Sequence, residues 1–161
     1  MELVEGLAPD RPVTETIAEI ERVEDEHGTT VQAFDARYVT DERHLSRAVE
    51  LARRAHERDD AIARELRVEI LLYAAGRRQI DEALEMGISL GGAAVVVVVG
   101  GDEADAAAAL CELFEPADTL DAGDPERIAA FFDIGTDELA ATAGTLADVV
   151  HERVALLTVE K

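Results

Sequence analysis

The sequence predicts an α+β fold: a single domain over residues 1–161, with a small, predominantly antiparallel sheet wrapped by about seven helices. Three observations lead there. The run Ala93–Val99 contains five successive valines between glycine pairs, too uniformly apolar for a one-sided strand, so it should be a central strand covered on both faces. Residues 64–87, RELRVEILLYAAGRRQIDEALEMG, open with a helix that is apolar nearly all round: Leu66, Ile70 and Tyr73 recur at helical spacing, and Val68, Leu71, Leu72, Ala74 and Ala75 fill most of the remaining face. This should be the buried central helix. At 161 residues the chain is long enough for one real core and leaves no second domain's worth of sequence.

Taken in order, residues 2–7 alternate weakly and read as an edge strand, closed by Pro9 and Pro12. A helix should start at Thr14 or Thr16, since Thr16 and Glu19 have capping-box spacing, and run with the stripe Val13, Ile17, Ile20 to Gly28. Residues 30–34 form a short strand candidate. From 41 to 58, Leu45, Ala48, Val49 and Ala52 keep helical spacing, with Arg43, Arg47, Arg53, Arg54 and Arg58 on or beside the solvated side. Gly76 stops the central helix, because a left-handed terminal residue costs glycine nothing, and a new helix should begin near Gln79. After the valine strand, Asp102 can cap a helix on which Ala104, Ala107, Ala108 and Cys111 share a face of small side chains. Residues 116–125 form a polar connection, Ile128, Phe131 and Phe132 cluster as apolar anchors, and Thr136 can cap a short helix. The last helix, about 145–157, carries the stripe Leu146, Val149, Val150, Val154 and Leu157, with Arg153 inside it. That arginine either snorkels past the core or marks a face docked on another protein.

Acidic residues number 36 against 15 basic ones, for a net charge of -21, and the only lysine is Lys161. Such a chain suggests a high-salt cytoplasm, where short acidic side chains keep a surface hydrated and salt screens their repulsion. Residues 43–78 depart from this pattern with nine arginines against six acids, a local net of 9 − 6 = +3. There a polyanion could approach; intrahelical pairs such as Glu50 with Arg54 are the alternative use of these charges. The N-terminal MELVEGLAPD has neither a basic region nor an apolar signal core, and the longest apolar run is too short to span a bilayer, so a cytoplasmic protein is expected.

Catalytic chemistry finds little support. His27, His44, His56 and His151 lie apart, none in HExxH spacing, and read as surface residues. Cys111 is the single cysteine, which excludes a disulfide or a cysteine-based zinc site, and it reads as core packing. No catalytic residue, metal site or cofactor is therefore expected. Glu69, alone among apolar neighbours, should pair with an arginine or cap a backbone group. Glycines around the valine strand raise a nucleotide loop, but no Walker lysine follows and the dinucleotide spacing is absent.

The Gly76 break places a helix start beside Arg77 and Arg78, which makes an anion site plausible there, with a plain turn as the alternative. The same residues carry a resemblance. VEILLYAAGRRQIDEAL resembles the VEILLYASG-x-RQI-x-x-A signature of the small KEOPS-complex subunit, the archaeal and eukaryotic family of PRPK-binding (TPRKB-type) proteins. Weaker echoes, HLSRAVELA at 44–52 and HERVALL at 151–157, extend it over most of the chain.

The resemblance implies a non-catalytic subunit of the complex that installs threonylcarbamoyl on adenosine 37 of tRNA. It implies docking on a small PRPK-type kinase subunit, support of that subunit's activity, indirect association with the other KEOPS subunits, and tRNA recruitment through the 3′ CCA end. On that reading the RNA-binding residues are Arg64, Gly76, Arg77, Arg78, Gln79 and Ile80, and Val150 and Arg153, one helical turn apart, contact the kinase. The acidity and missing lysines, which depart from the family, point to a halophilic archaeon. The alternatives are a small nucleotide-binding enzyme, with its site between the Val95–Val99 stretch and the Asp102 helix, and a purely structural adaptor.

Overall fold

The computed structural model describes residues 1–160. Its elements in chain order are β1 (Glu2–Leu7), α1 (Val13–His27), β2 (Thr30–Asp35), α2 (Glu42–Glu57), α3 (Leu66–Ala75), α4 (Ile80–Ala83), β3 (Ala93–Val99), α5 (Glu103–Leu113), β4 (Glu115–Pro116), α6 (Pro125–Phe131), α7 (Thr136–Ala141) and α8 (Leu146–Glu160). Single 3-10 turns lie at Ala36–Tyr38, Leu84–Met86 and Leu120–Ala122. The fold is α+β, with eight α-helices where about seven were expected and a four-stranded antiparallel sheet. The chain forms two compact units, one from residues 1–36 and 87–122, the other from residues 37–86 and those from 123 on.

The first unit is organised by the valine strand. The sheet order is β2-β3-β1-β4, and β3 pairs along its length with β1 (Val4 opposite Val96) and with β2 (Val31 opposite Val98). Ala94, Val96 and Val98 join Val4, Val31 and Ala33 in a core completed by Ile20 of α1 and by Ala106, Leu110 and Phe114. Val95, Val97 and Val99 are also buried, so the strand is covered on both faces. Expected at an edge, β1 is instead interior, because β4 pairs with its Gly6 and Leu7. The edge strands are β2 and the short β4; on β2 the Val31 N–H donates to Glu24 Oε2 at 2.9 Å, a side-chain cover for an otherwise open ladder.

Two helix faces differ from the expected ones. The first, α1, starts at Val13 with Pro12 in the N-cap place, and its buried residues are Thr16 and Ile20, while Ile17 is 41% exposed. Rigid φ at Pro12 fixes the start, so Thr16 is an interior residue rather than a cap. On α5 the buried side chains are Ala106, Ala107 and Leu110, and Cys111 is exposed rather than packed in the core. The α5 face is chosen by β1 and α1, against which it packs, and small side chains carry too weak a periodic signal to reveal that phase.

In the second unit α3 packs against α2 and α8. Every residue from Glu69 to Ala75 is buried. Around it α2 buries Leu45, Ala48, Val49 and Ala52, and α8 buries Val149, Val150, Val154 and Leu157. The buried Glu69 carboxylate accepts the N–H groups of Ile62 (3.1 Å) and Ala63 (2.8 Å), so it caps backbone as the sequence allows.

His44 corrects the surface reading of the histidines. It is fully buried; Nδ1 accepts from the Thr40 N–H at 3.3 Å, and Nε2 lies 2.8 Å from the Ala74 carbonyl oxygen, which can only accept. The ring is therefore the neutral Nε2–H tautomer. Burial pushes its pKa down to about 4, with the Ala74 carbonyl opposing the shift.

Candidate functional site

At the end of α3, Gly76 has φ +61°, its N–H donates to the Tyr73 carbonyl at 3.1 Å, and the Arg77 N–H donates to that of Leu72 at 3.1 Å. This closure uses both amides for the helix C-terminus. The helix that follows is four residues long and passes straight into a 3-10 turn. A macrodipole sums over aligned peptides, so one turn supplies little of the positive end that a longer helix would have placed beside the arginines. The anion site expected at Gln79 thus lacks its backbone half, and what remains is side-chain chemistry.

Both arginines of the turn are engaged. Arg77 Nη1 donates to Glu82 Oε1 at 3.2 Å, its Nη2 donates to the Phe131 carbonyl, and its guanidinium lies 4.7 Å above the Phe131 ring centre. Arg78 Nη1 donates to the Glu160 carbonyl at the end of α8. A cation at a helix C-terminus is favourably placed, and this one ties the turn to α8. Ile80 is 46% exposed and is not a core residue; Leu84, one turn on, is also exposed. Gln79 stands in the N-cap place without a side-chain bond to the helix.

The structure brings together some of the expected residues and separates others. Gly76 sits against α8, where a Cβ would lie 3.4 Å from the Arg153 carbonyl oxygen. The turn and Arg153 are thus neighbours, although 77 positions (153 − 76) separate them in the sequence. Arg64 precedes α3 while Gly76 follows it, so the ten residues of that helix hold them about 15 Å apart. Arg64 instead lines a separate cleft with His56, Asp59 and Ile62.

On α8, Arg153 does not snorkel freely: Nη2 donates to both carboxylate oxygens of Glu138 in α7, at 2.6 and 2.7 Å. Val150 is corrected as a contact residue, because it is 0% exposed and belongs to the core. The turn of helix that separates it from Arg153 places Arg153 at the rim and Val150 inside. The exposed apolar residues of this helix are Leu156 and Val159. Nearby, Asp41 caps α2 through the His44 N–H at 2.8 Å and accepts from His151 Nε2 at 3.0 Å. Burial works to raise its carboxyl, but these bonds hold it below its ordinary value.

Sequence reasoning missed a group in the same unit. Tyr38, Arg77, Glu85, Asp124, Arg127 and Phe131 line one cleft, and Tyr38 and Phe131 meet edge to face at 5.4 Å. Arg77 lies over Phe131 and Arg127 over Tyr38, residues so far apart in the sequence that no local pattern joins them.

The loop offered for the nucleotide alternative is already filled. The Gly100 N–H donates to Glu103 Oε2 at 2.6 Å, and a Cβ at Gly101 would stand 2.3 Å from the Gly28 carbonyl oxygen. The glycine there permits close packing of two backbones, and a carboxylate occupies the place a phosphate would need. Among the described residues, no three His, Cys, Asp or Glu side chains converge to hold a metal, and no helix is long and apolar enough to cross a membrane.

The turn thus leaves Ile80 and Leu84 exposed beside two arginines that are engaged within the chain. The model of the kinase-binding protein CGI-121 family matches residues 13–158, and the chain belongs to that family. Its members are kinase-binding, regulatory proteins associated with KEOPS. A comparison with curated proteins gave no match.

Proposed function

We propose that this protein is a non-catalytic subunit of the KEOPS complex that forms threonylcarbamoyladenosine at position 37 of tRNA. It binds and supports the PRPK-type kinase/ATPase subunit, meets the other KEOPS subunits through it, and recruits tRNA through the 3′ CCA end. The observation that carries this reading is the segment 68–84, VEILLYAAGRRQIDEAL, lying within a family match that spans 13–158. A match that runs through both units supports the reading that they serve as one functional domain. The acidic, lysine-poor composition supports the cytoplasm of a halophilic archaeon.

The tRNA end is assigned to Arg77, Arg78, Gln79 and Ile80 around Gly76, with Arg64 as a phosphate contact apart from the turn. Exposed Ile80 supports this reading, since an aliphatic surface beside guanidiniums suits an unpaired terminal base. The kinase contact is assigned to Arg153 and the exposed flank of α8. No cofactor enters the scheme, and the chain itself turns nothing over.

The test compares wild type with Ile80→Glu, both confirmed as folded, on intact tRNA and on tRNA lacking CCA at one stated salt concentration. Ile80→Glu should abolish tRNA binding by adding charge beside phosphates, and CCA removal should do the same for wild type, while capture of the kinase subunit is unchanged in both proteins. Wild type that binds the two tRNAs equally would make the turn structural.

A further inference from the structure

The cleft of about 460 Å³ beside the Gly76 turn has a chemistry that the family motif does not describe. Two guanidiniums lie on its aromatic rings, Arg77 at 4.7 Å from the Phe131 centre and Arg127 at 5.6 Å from that of Tyr38. A guanidinium is planar and can stack a flat ligand, and 33% and 39% of the two side chains remain exposed. Arg77 donates to Glu82 and to the Phe131 carbonyl, whereas the Nε of Arg127 is unpartnered. Its Nε is buried and has no hydrogen-bond acceptor; Asp124 Oδ2 stands 3.7 Å away, beyond hydrogen-bond reach. A buried donor without an acceptor is a bond that a ligand can complete.

Acceptors stand beside this donor. Glu85, Asp124 and Glu126 line the cleft, and the Tyr38 hydroxyl donates to Glu85 Oε2 at 3.0 Å, which fixes that carboxylate at the edge. Three carboxylates against two guanidiniums give the lining a net charge of −3 + 2 = −1, so an inserted phosphate is disfavoured. A flat, uncharged ring that offers an amine donor and a ring acceptor matches the lining.

We infer that this cleft binds a nucleobase carrying an exocyclic amine. The amine donates to the Glu85 carboxylate, a ring acceptor takes the Arg127 Nε–H, and the ring stacks on a guanidinium plane. Uracil, which has no amine, is the excluded base. The choice of a nucleobase among flat heterocycles rests on the RNA reading above, since Arg77 belongs to both the turn and the cleft; the base can come from a free nucleotide or from a single-stranded RNA end.

The test is an NMR titration of the full chain, following backbone amides and arginine Nε–H groups, with AMP, CMP and UMP and with oligoribonucleotides ending in CCA or in UUU. AMP, CMP and the CCA oligonucleotide should shift the Arg127 Nε–H and the amides near Tyr38 and Phe131, with UMP and UUU about tenfold weaker. Arg127→Gln and, separately, Glu85→Ala at an exposed position should each weaken CMP binding about tenfold. Should Arg127→Gln fail to fold, Glu85→Ala decides: unchanged affinity overturns the inference. So does UMP binding as tightly as CMP, or shifts confined to other surfaces. Mononucleotide binding here without any CCA dependence on tRNA upholds the cleft and rejects the RNA reading. CCA-dependent tRNA binding that ignores both substitutions upholds the RNA reading and rejects the cleft.

Discussion

Lowering the pH should destabilise this protein through one residue, His44. In the unfolded chain its imidazole titrates near its ordinary value of 6.5, whereas burial holds it at about 4 in the fold. Between those values the unfolded state binds a proton that the folded state refuses. Stability from this group is therefore fully present above about pH 6.5 and is lost as pH falls towards 4. At pH 5 the loss is about 2 kcal/mol, from the ratio of the two binding terms, and nearly complete burial leaves no solvent screening to discount it. The control is His44→Gln, whose amide can still donate to the Ala74 carbonyl and does not titrate. Urea unfolding at pH 7 and pH 5, at fixed ionic strength, should show wild type losing about 2 kcal/mol more than His44→Gln. Carboxylates and the other histidines are common to both proteins and cancel. Parallel losses, or an NMR titration midpoint for the His44 ring near 6.5, would refute the reasoning.

Other substitutions separate core from contact. Arg153→Glu should release the kinase subunit in a pull-down while the melting temperature stays near wild type; Val150→Glu should instead unfold or strongly destabilise the chain by about 3 kcal/mol or more, because it buries a charge without a partner. Wild-type stability in Val150→Glu would contradict the burial of α8. Glu69→Ala removes the acceptor of two amides and should cost about 2 to 4 kcal/mol, with faster hydrogen exchange at Ile62 and Ala63. Gly101→Ala, forced against the Gly28 carbonyl at φ +56°, should cost about 1 to 3 kcal/mol by urea unfolding, and an unchanged midpoint would mean that the two backbones move apart freely. Arg78→Ala should weaken tRNA binding less than Ile80→Glu and flatten its salt dependence, read from affinities at several salt concentrations.

The parts of the fold legible in the sequence are those whose pattern is dictated locally. Apolar residues over more than one face of 66–75 require burial all round, and Gly76 marks the stop because few other residues adopt its backbone. The valine strand is readable for the same reason. Phase is harder where side chains are small: Ala104, Ala107, Ala108 and Cys111 look alike on either side of α5, and only packing against β1 and α1 selects Ala106, Ala107 and Leu110. The two-residue β4 has no periodicity at all, and it is what moves β1 from edge to interior. At the candidate site, the residues of the turn are legible from their motif, but their partners are not. Phe131 on Arg77 and Glu160 on Arg78 come from other parts of the chain, and Glu138 reaches Arg153 from the preceding helix. Burial of Val150 could have been inferred from its own stripe, where Val149, Val150 and Val154 follow one another at core spacing.

The strand order carries a consequence for how this chain is made. Its first two strands never touch in the native sheet; each pairs with β3, which leaves synthesis some sixty residues after β2, so no part of the ladder can close while the ribosome is still delivering α2 to α4. During that interval the second unit is also short of α6 to α8. The nascent chain thus holds two unfinished bodies at once, and the valine run that completes one of them is, before it docks, the segment most able to pair with a stranger. A chain interrupted ahead of Ala93 has no sheet to fall back on, which makes translation pausing or truncation within residues 37–92 more damaging than the modest size of the protein suggests.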